Sequence, residues 1–519
     1  MAAARAAAER PDQHQTAGGR TMRERSNDAR PRRRAVATVA ALAVSLAATA
    51  VLLAGGQARA QPAAGAGAPP GAAQSAAADH DPDAELGAAT IALVFGPPDA
   101  RRQALESIRA YGQPDIMASL ILAMRYVRAD AETLDGIAAE ITGDAGGRKG
   151  WFDWMLWQEA HSEVVPHASY ARLKTLLLAQ LDPNFLRFLQ PEHLARERMR
   201  IRLEEIVWGG VSVDGIPSLD DPELIAADAA DYLEASDLVF GVEINGDARA
   251  YPLRVMGWHE MFNETIGGVP VALAYCTLCG AGILFETTVE GIDERFVFGS
   301  SGLLYRSNKL MFDRQTDSLW NQFTGEPVVG PLAAAGIRLR QRPVVITSWE
   351  KWRAAHPDTR VLSLDTGHRR DYGSGVVYRD YFASDELMFP ALADKGRLQP
   401  KDYVFGVRMP LAAKAWPIVS FAGDGGKVIN DTIGATPLVL IGDAATRTVR
   451  AYQRGDLRFA AGPTPATLAA ADGSSWRIEE HALVAADGRQ LPRVAGHIAY
   501  WFAWDGYLGV RSELYDGGG

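Results

Sequence analysis

Two cysteines among 519 residues exclude both a four-thiolate metal centre and a disulfide-rich scaffold. A basic excess is missing as well: 53 lysines and arginines stand against 63 aspartates and glutamates, a formal net charge of −10. With no electrostatic footprint for a phosphate backbone, nucleic acid drops out as a partner, and so does an anionic lipid surface. The chain has no Gly-x-Ser-x-Gly, no phosphate-cradling glycine loop, no His-Glu-x-x-His and no Cys-x-x-Cys-His. Common hydrolases, nucleotide enzymes and c-type cytochromes thereby lose support.

What is present begins with a leader. Arg30, Arg32, Arg33 and Arg34 precede an uncharged Ala/Leu/Val-rich run from Ala35 to Gly56, followed by Ala58-Arg59-Ala60. That layout reads as an export signal over 1–60, with Met22 as a candidate true start. An uncleaved anchor at 35–56 is the competing reading, since roughly 20 uncharged residues can span a bilayer. The expected location is periplasmic or extracellular, with the membrane a partner only if that segment is retained. Removing 1–60 leaves 43 basic and 59 acidic side chains, a net charge of −16.

Residues 61–85 are Ala/Gly/Pro-rich and patternless, a flexible linker. From 86 to 205 the pattern is helical: Asp99 can open a helix that Gly112 closes, Pro114 starts the next, and Asp130 to Gly143 and Ser169 to Asp182 supply more. Trp151, Trp154 and Trp157 fall on one helical stripe, which reads as core. From Trp208 short Val/Ile/aromatic runs alternate with Gly and Asn-Gly turns, which is α+β with much antiparallel sheet. The expected fold class is therefore an N-terminal helical domain followed by a duplicated, largely antiparallel α+β domain. The first copy lies in 206–400 and the second in 401–519.

Duplication is read from four ordered matches. Val239-Phe240-Gly241-Val242 with Arg249-Ala250-Tyr251-Pro252 recurs as Val404-Phe405-Gly406-Val407 with Lys414-Ala415-Trp416-Pro417. Asn263-Glu264-Thr265-Ile266-Gly267 recurs as Asn430-Asp431-Thr432-Ile433-Gly434, Trp320 matches Trp476, and Trp349 with Trp352 matches Trp501 with Trp504. Where the first copy has Cys276 and Cys279 the second has Asp443 and Thr446, and Gly423-Asp424-Gly425 replaces Trp258-His259-Glu260. The thiols and the imidazole are thus candidates for a site that the fold itself does not require.

Trp208-Gly209-Gly210, Asp214-Gly215-Ile216-Pro217, Arg249-Ala250-Tyr251-Pro252, Trp258-His259-Glu260, Tyr275-Cys276-Thr277-Leu278-Cys279-Gly280, Ser301-Gly302-Leu303-Leu304-Tyr305 and Asp313-Arg314-Gln315-Thr316 occur in order. Together they resemble the prokaryotic family called domain of unknown function 3179, from Trp208 to at least Trp416. The resemblance implies a fold family and carries no activity with it. Thr277, Glu264 and His368 depart from the family pattern, and the helical segment lies outside it.

Three readings of the cysteine pair stand side by side. A structural disulfide would close a four-residue loop and contribute about 2 kcal/mol. A redox pair needs a thiol of depressed pKa. A metal site would take two thiolates with His259 and one further ligand, Glu260 or His368, giving tetrahedral zinc, or the thiolates alone with Cu(I). The expectation placed first is an exported protein with a soft-metal (Cu or Zn) or thiol site at Cys276, Cys279, His259 and Glu260. Its partner would be an unidentified small ligand or the metal. Trp258, Asn263, Tyr305, His368, Arg370, Asp371 and Tyr372 are candidate cleft-lining residues. The alternatives are a non-catalytic binding or scaffold module with a structural disulfide, and a thiol-redox protein.

Overall fold

A computed structural model describes residues 81–144 and 146–517; the leader, the candidate start at Met22 and the linker up to residue 80 lie outside the described residues. The first helix, Pro82–Phe95, begins inside the stretch expected to be linker. Asp81 explains this, because its carboxylate accepts from the N–H groups of Asp83 and Ala84 at 3.1 and 3.3 Å. Pro98–Tyr111 ends on Gly112 at φ 62° and Ala131–Thr142 on Gly143 at φ 67°, left-handed positions that glycine fills without a Cβ penalty. Met117–Tyr126, Gly150–Ala160 and Ser169–Leu181 complete the helical region.

Trp154 and Trp157 are buried with Leu93, Ile108, Leu120 and Leu134. A second cluster joins Tyr170, Leu178, Phe185 and Phe188 of the helical region to Leu303, Phe312 and Val329 of the first sheet. The helices therefore close part of the sheet region's core.

For the described residues the expectation of a membrane anchor, and of the location tied to it, is corrected. No helix among the described residues is long and apolar enough to cross a membrane. Pro82–Phe95 and Pro98–Tyr111, at 14 residues each, reach only about 21 Å against a hydrocarbon core of about 30 Å. The segment 35–56 that carried the anchor reading lies outside the described residues.

From Ile206 onward the chain is mostly sheet, and the architecture is α+β. The first sheet runs Ile206–Trp208, Phe298–Tyr305, Asn308–Asp313, Leu319–Asn321, Glu326–Val329, antiparallel throughout. In the second, Met261–Ile266, Val269–Cys276 and Ala281–Glu286 are antiparallel neighbours, with Leu219–Asp220 parallel to the first of them. The third is built on the hairpin Leu238–Ile244/Asp247–Pro252, turned by Asn245 and Gly246 at positive φ. Val345–Ser348 pairs antiparallel with its first strand, the helix Trp349–Ala355 crosses over, and Arg360–Leu362 pairs parallel with its second strand.

The same order returns later in the chain. Tyr403–Met409/Ala412–Pro417 is the hairpin, Gly496–Tyr500 pairs antiparallel with its first strand, Trp501–Leu508 crosses over, and Ser512–Leu514 pairs parallel with its second. Trp352 packs over Gly241 and donates its Nε1–H to Thr359 Oγ1 at 2.9 Å; Trp504 packs over Gly406 and donates to Ser512 Oγ at 2.7 Å. Asn263 clamps the backbone N–H and carbonyl of Phe298, and Asn430 does the same to Phe459. An eight-stranded sheet from Lys427–Ile433 to Phe459–Ala461 carries the latter pair.

Glycine therefore has opposite meanings at two positions. A Cβ on Gly241 would collide with the Trp352 ring, whereas one on Gly136, within Ala131–Thr142, meets nothing within 4 Å. Gly241→Ala is expected to lower stability by about 1–3 kcal/mol through overpacking. Gly136→Ala is expected to raise it by about 0.5–1 kcal/mol through reduced backbone entropy. Urea unfolding of the two variants beside the parent chain measures both.

Candidate functional site

Cys276 ends the strand Val269–Cys276 and pairs with Ala281, so residues 277–280 form the turn to the next strand. The two cysteines are joined as a disulfide, Cα atoms 5.3 Å apart. Both are buried, Cys276 at 2% and Cys279 at 0% exposure. Gly280, at φ 59°, lies against Tyr403 and Tyr500, and Cys279 O accepts from Tyr500 N–H at 2.7 Å. Cys279 Sγ lies 2.9 Å from Asn308 Oδ1 and 3.4 Å from Ser307 O.

Glu260 reaches the same place from the end of the helix Leu253–His259. Its carboxylate accepts from Thr277 Oγ1 at 2.6 Å and Tyr378 OH at 3.4 Å, and pairs with Lys309 Nζ at 3.2 Å. Lys309 is 3% exposed. Burial lowers its pKa, and the Glu260 charge and hydrogen bond work against that shift. Glu260, Cys276, Thr277, Leu278, Lys309 and Tyr378 line a cavity of about 50 Å³, enough for a few molecules the size of water. Tyr381, from the next turn of chain after Tyr378, donates to Leu278 O at 2.7 Å. Four residues here, Glu260, Tyr378, Arg306 and Ser307, hold left-handed backbone without being glycine; Arg306 and Ser307 do so as the two-residue turn between paired Tyr305 and Asn308, whereas Glu260 and Tyr378 carry strain of the kind that collects at functional sites.

The imidazole goes elsewhere. His259 is fully buried, with Nδ1 3.0 Å from Pro217 O and Nε2 2.6 Å from Tyr372 OH. A carbonyl only accepts, so Nδ1 carries the proton and Nε2 accepts from the Tyr372 hydroxyl, which in turn is 2.6 Å from Thr366 Oγ1. The His368 ring lies 5.3 Å from that of His259, tilted by 49°, Trp258 Nε1 donates to Asp371 O at 2.8 Å, and Arg370 lies over the Trp258 ring at 5.7 Å.

These placements correct the expected metal centre. The only two thiols are joined to each other, and both nitrogens of His259 have other partners. Among the described residues no group of three or more His, Cys, Asp and Glu side chains could hold a metal ion. The Cu or Zn cofactor, and the metal as a partner, therefore fall away. Of the candidate residues, Cys276, Cys279 and Glu260 meet in one place, and Trp258, His259, His368, Arg370, Asp371 and Tyr372 meet in another. Asn263 is the backbone clamp described above, and Tyr305 packs against Tyr507 at 5.7 Å, borders a separate cavity and joins neither group. Lys309 and Tyr378 were not legible as site residues. The one signal for Lys309 is a cation directly before the apolar run Leu310-Met311-Phe312, in a strand that is buried throughout.

A family model described as "Protein of unknown function (DUF3179)" matches residues 213–509. Fold and site thus define an α+β protein with a buried Cys-x-x-Cys disulfide beside a carboxylate–ammonium pair. The chain belongs to the DUF3179 family. No curated protein and no solved structure matches it.

His259 yields a pH prediction. Burial pulls its folded-state pKa down to about 4, with smaller contributions from His368 and Arg370, against the Pro217 hydrogen bond that raises it. As pH falls below about 6.5 the unfolded chain takes up a proton that the folded chain refuses, so stability is full above that pH and declines toward pH 4. The loss attributable to His259 is on the order of 3 kcal/mol. Urea unfolding at pH 7.5 and 4.5 should show a steeper fall in the parent chain than in His259→Gln; equal slopes would refute it.

Proposed function

We propose that Cys276 and Cys279 form a thiol–disulfide exchange centre, with Glu260 and Lys309 as its proton-handling pair. The observation that carries this reading is the shared cavity: Cys276 opens onto a buried Glu260–Lys309 pair. A turn staple has no use for such a pair, whose desolvation is itself unfavourable. Two further features support it. The strand pair Thr436–Asp443/Thr448–Gln453 has the same turn length, closed by a hydrogen bond from Thr446 Oγ1 to Asp443 Oδ2 at 2.8 Å. Covalent closure is thus not a demand of that turn. The oxygens of Asn308 and Ser307 beside Cys279 are acceptors, and only the reduced thiol has a hydrogen to give them.

In the reductive direction an external thiolate attacks Cys276 Sγ, the S–S bond breaks, and Cys279 leaves with the electron pair and is protonated. A second external thiolate then attacks the outer sulfur of the mixed disulfide and releases Cys276, which is protonated from the Glu260–Lys309 pair. Two external thiols supply the two electrons and two protons and end as a disulfide. Because Cys276 is 2% exposed, the residues that line its cavity, Tyr378 among them, must shift for anything larger than a small thiol.

We also infer that 236–365 and 401–516 are two copies of one unit within the ranges 206–400 and 401–519. The support is the matching strand order, the paired tryptophans over glycines and the paired asparagine clamps. A second functional reading, a non-catalytic binding module, rests on a cleft of about 1100 Å³ lined from both halves. Glu243, Thr347 and His356 face Arg450, Glu480 and His481 across it.

Equilibration with glutathione redox buffers tests the exchange centre. The expected reduction potential is well above the roughly −300 mV typical of structural disulfides, and Cys276→Ser/Cys279→Ser should lose no more than about 2 kcal/mol of stability. Glu260→Gln/Lys309→Met, which leaves no unpaired charge, should slow reduction by dithiothreitol about 100-fold at pH 7. A potential at or below −300 mV with unfolding of the serine variant would establish the structural reading instead.

A further inference from the structure

A second cavity, of about 420 Å³, lies where the helical region meets the first sheet, a size suited to a small organic ligand. Its walls are apolar, including Val165, Ala171, Leu194, Met199, Ile201 and Leu203, with Tyr305 closing one side. Its polar groups divide into two sets. Arg202 and Arg306 are both consumed internally, each paired with Glu205 and with backbone carbonyls. Arg196 and Arg200 are exposed, Arg200 Nε donates to Ala333 O at 2.9 Å, and among the described residues no carboxylate pairs with either. Glu204, 5% exposed, lines the same cavity; its Oε1 is buried in an ion pair with Arg202 Nη1 at 3.5 Å and has no hydrogen-bond partner. A buried carboxylate oxygen that no hydrogen bond satisfies gains from a ligand that brings a donor.

We propose that this cavity binds a small organic acid with an apolar body: its carboxylate is held by Arg196 and Arg200, and a distal hydroxyl or N–H donates to Glu204. Guanidinium groups suit a carboxylate through paired N–H donors, and the apolar walls hold the body between the two polar ends. The site is independent of the exchange centre. Arg196, Arg200 and Glu204, which would hold the ligand, all precede Val213, where the family match begins, so the binding is a property of this chain's helical extension.

Isothermal titration of the full described chain with 4-hydroxyphenylacetate, phenylacetate and 4-hydroxyphenylacetamide tests it. The first should bind saturably at one site. Phenylacetate, lacking the donor, and the amide, lacking the charge, should each bind at least about tenfold more weakly. Arg196→Ala/Arg200→Ala, on exposed side chains that leave the fold intact, should reduce affinity for the acids and leave the amide unchanged. Glu204→Gln should narrow the gap between the two acids. Absence of saturable binding for all three probes, or binding indifferent to the arginine variant, overturns the proposal.

Discussion

Glu260 occupies left-handed backbone at φ 55°, where a side chain other than glycine is strained. The position is held from both sides: its N–H closes the helix onto Met256 O at 2.7 Å, and its carbonyl accepts from Tyr275 N–H at 2.8 Å. That reversal sends two neighbouring side chains apart. His259 enters the Pro217 and Tyr372 cluster, while Glu260 turns to Thr277, Lys309 and Cys276. Both clusters depend on this one reversal, and the strain it stores is offset by packing that determines it from every direction.

The energetics of the two hairpin turns sharpen the contrast. A disulfide over four residues constrains the unfolded chain by only about 2 kcal/mol. The turn at Asp443 and Thr446 reaches the same length with side-chain hydrogen bonds alone, from Ala445 N–H and Thr446 Oγ1 to the Asp443 carboxylate and between Thr446 and Thr448. In the first half the disulfide is accompanied by a buried ion pair, which offers little net stability in a dry interior. This contrast is what supports the proposed exchange centre.

Much of the fold was legible in periodicity and punctuation. Gly112 and Gly143 close helices where the pattern placed them, and Asn245-Gly246 turns the hairpin, because those positions need positive φ. The first helix starts earlier than the composition suggested, because Asp81 caps it and its alanine-rich stretch still buries Leu86 and Leu93. The metal reading failed for a related reason: nearness in sequence of His259 to Cys276 does not fix direction, and a left-handed residue between helix and strand inverted it.

The sequence by itself determined the α+β class, the helical extension, the family and the cysteine pair, since each rests on local patterns or on residue identity. Only tertiary structure decided which polar groups meet. Lys309 comes from a strand 49 residues beyond Glu260, and Asn308 begins the same strand. Burial, which gives the ion pair and the Glu204 oxygen without a hydrogen bond their meaning, is a property of the packed chain alone.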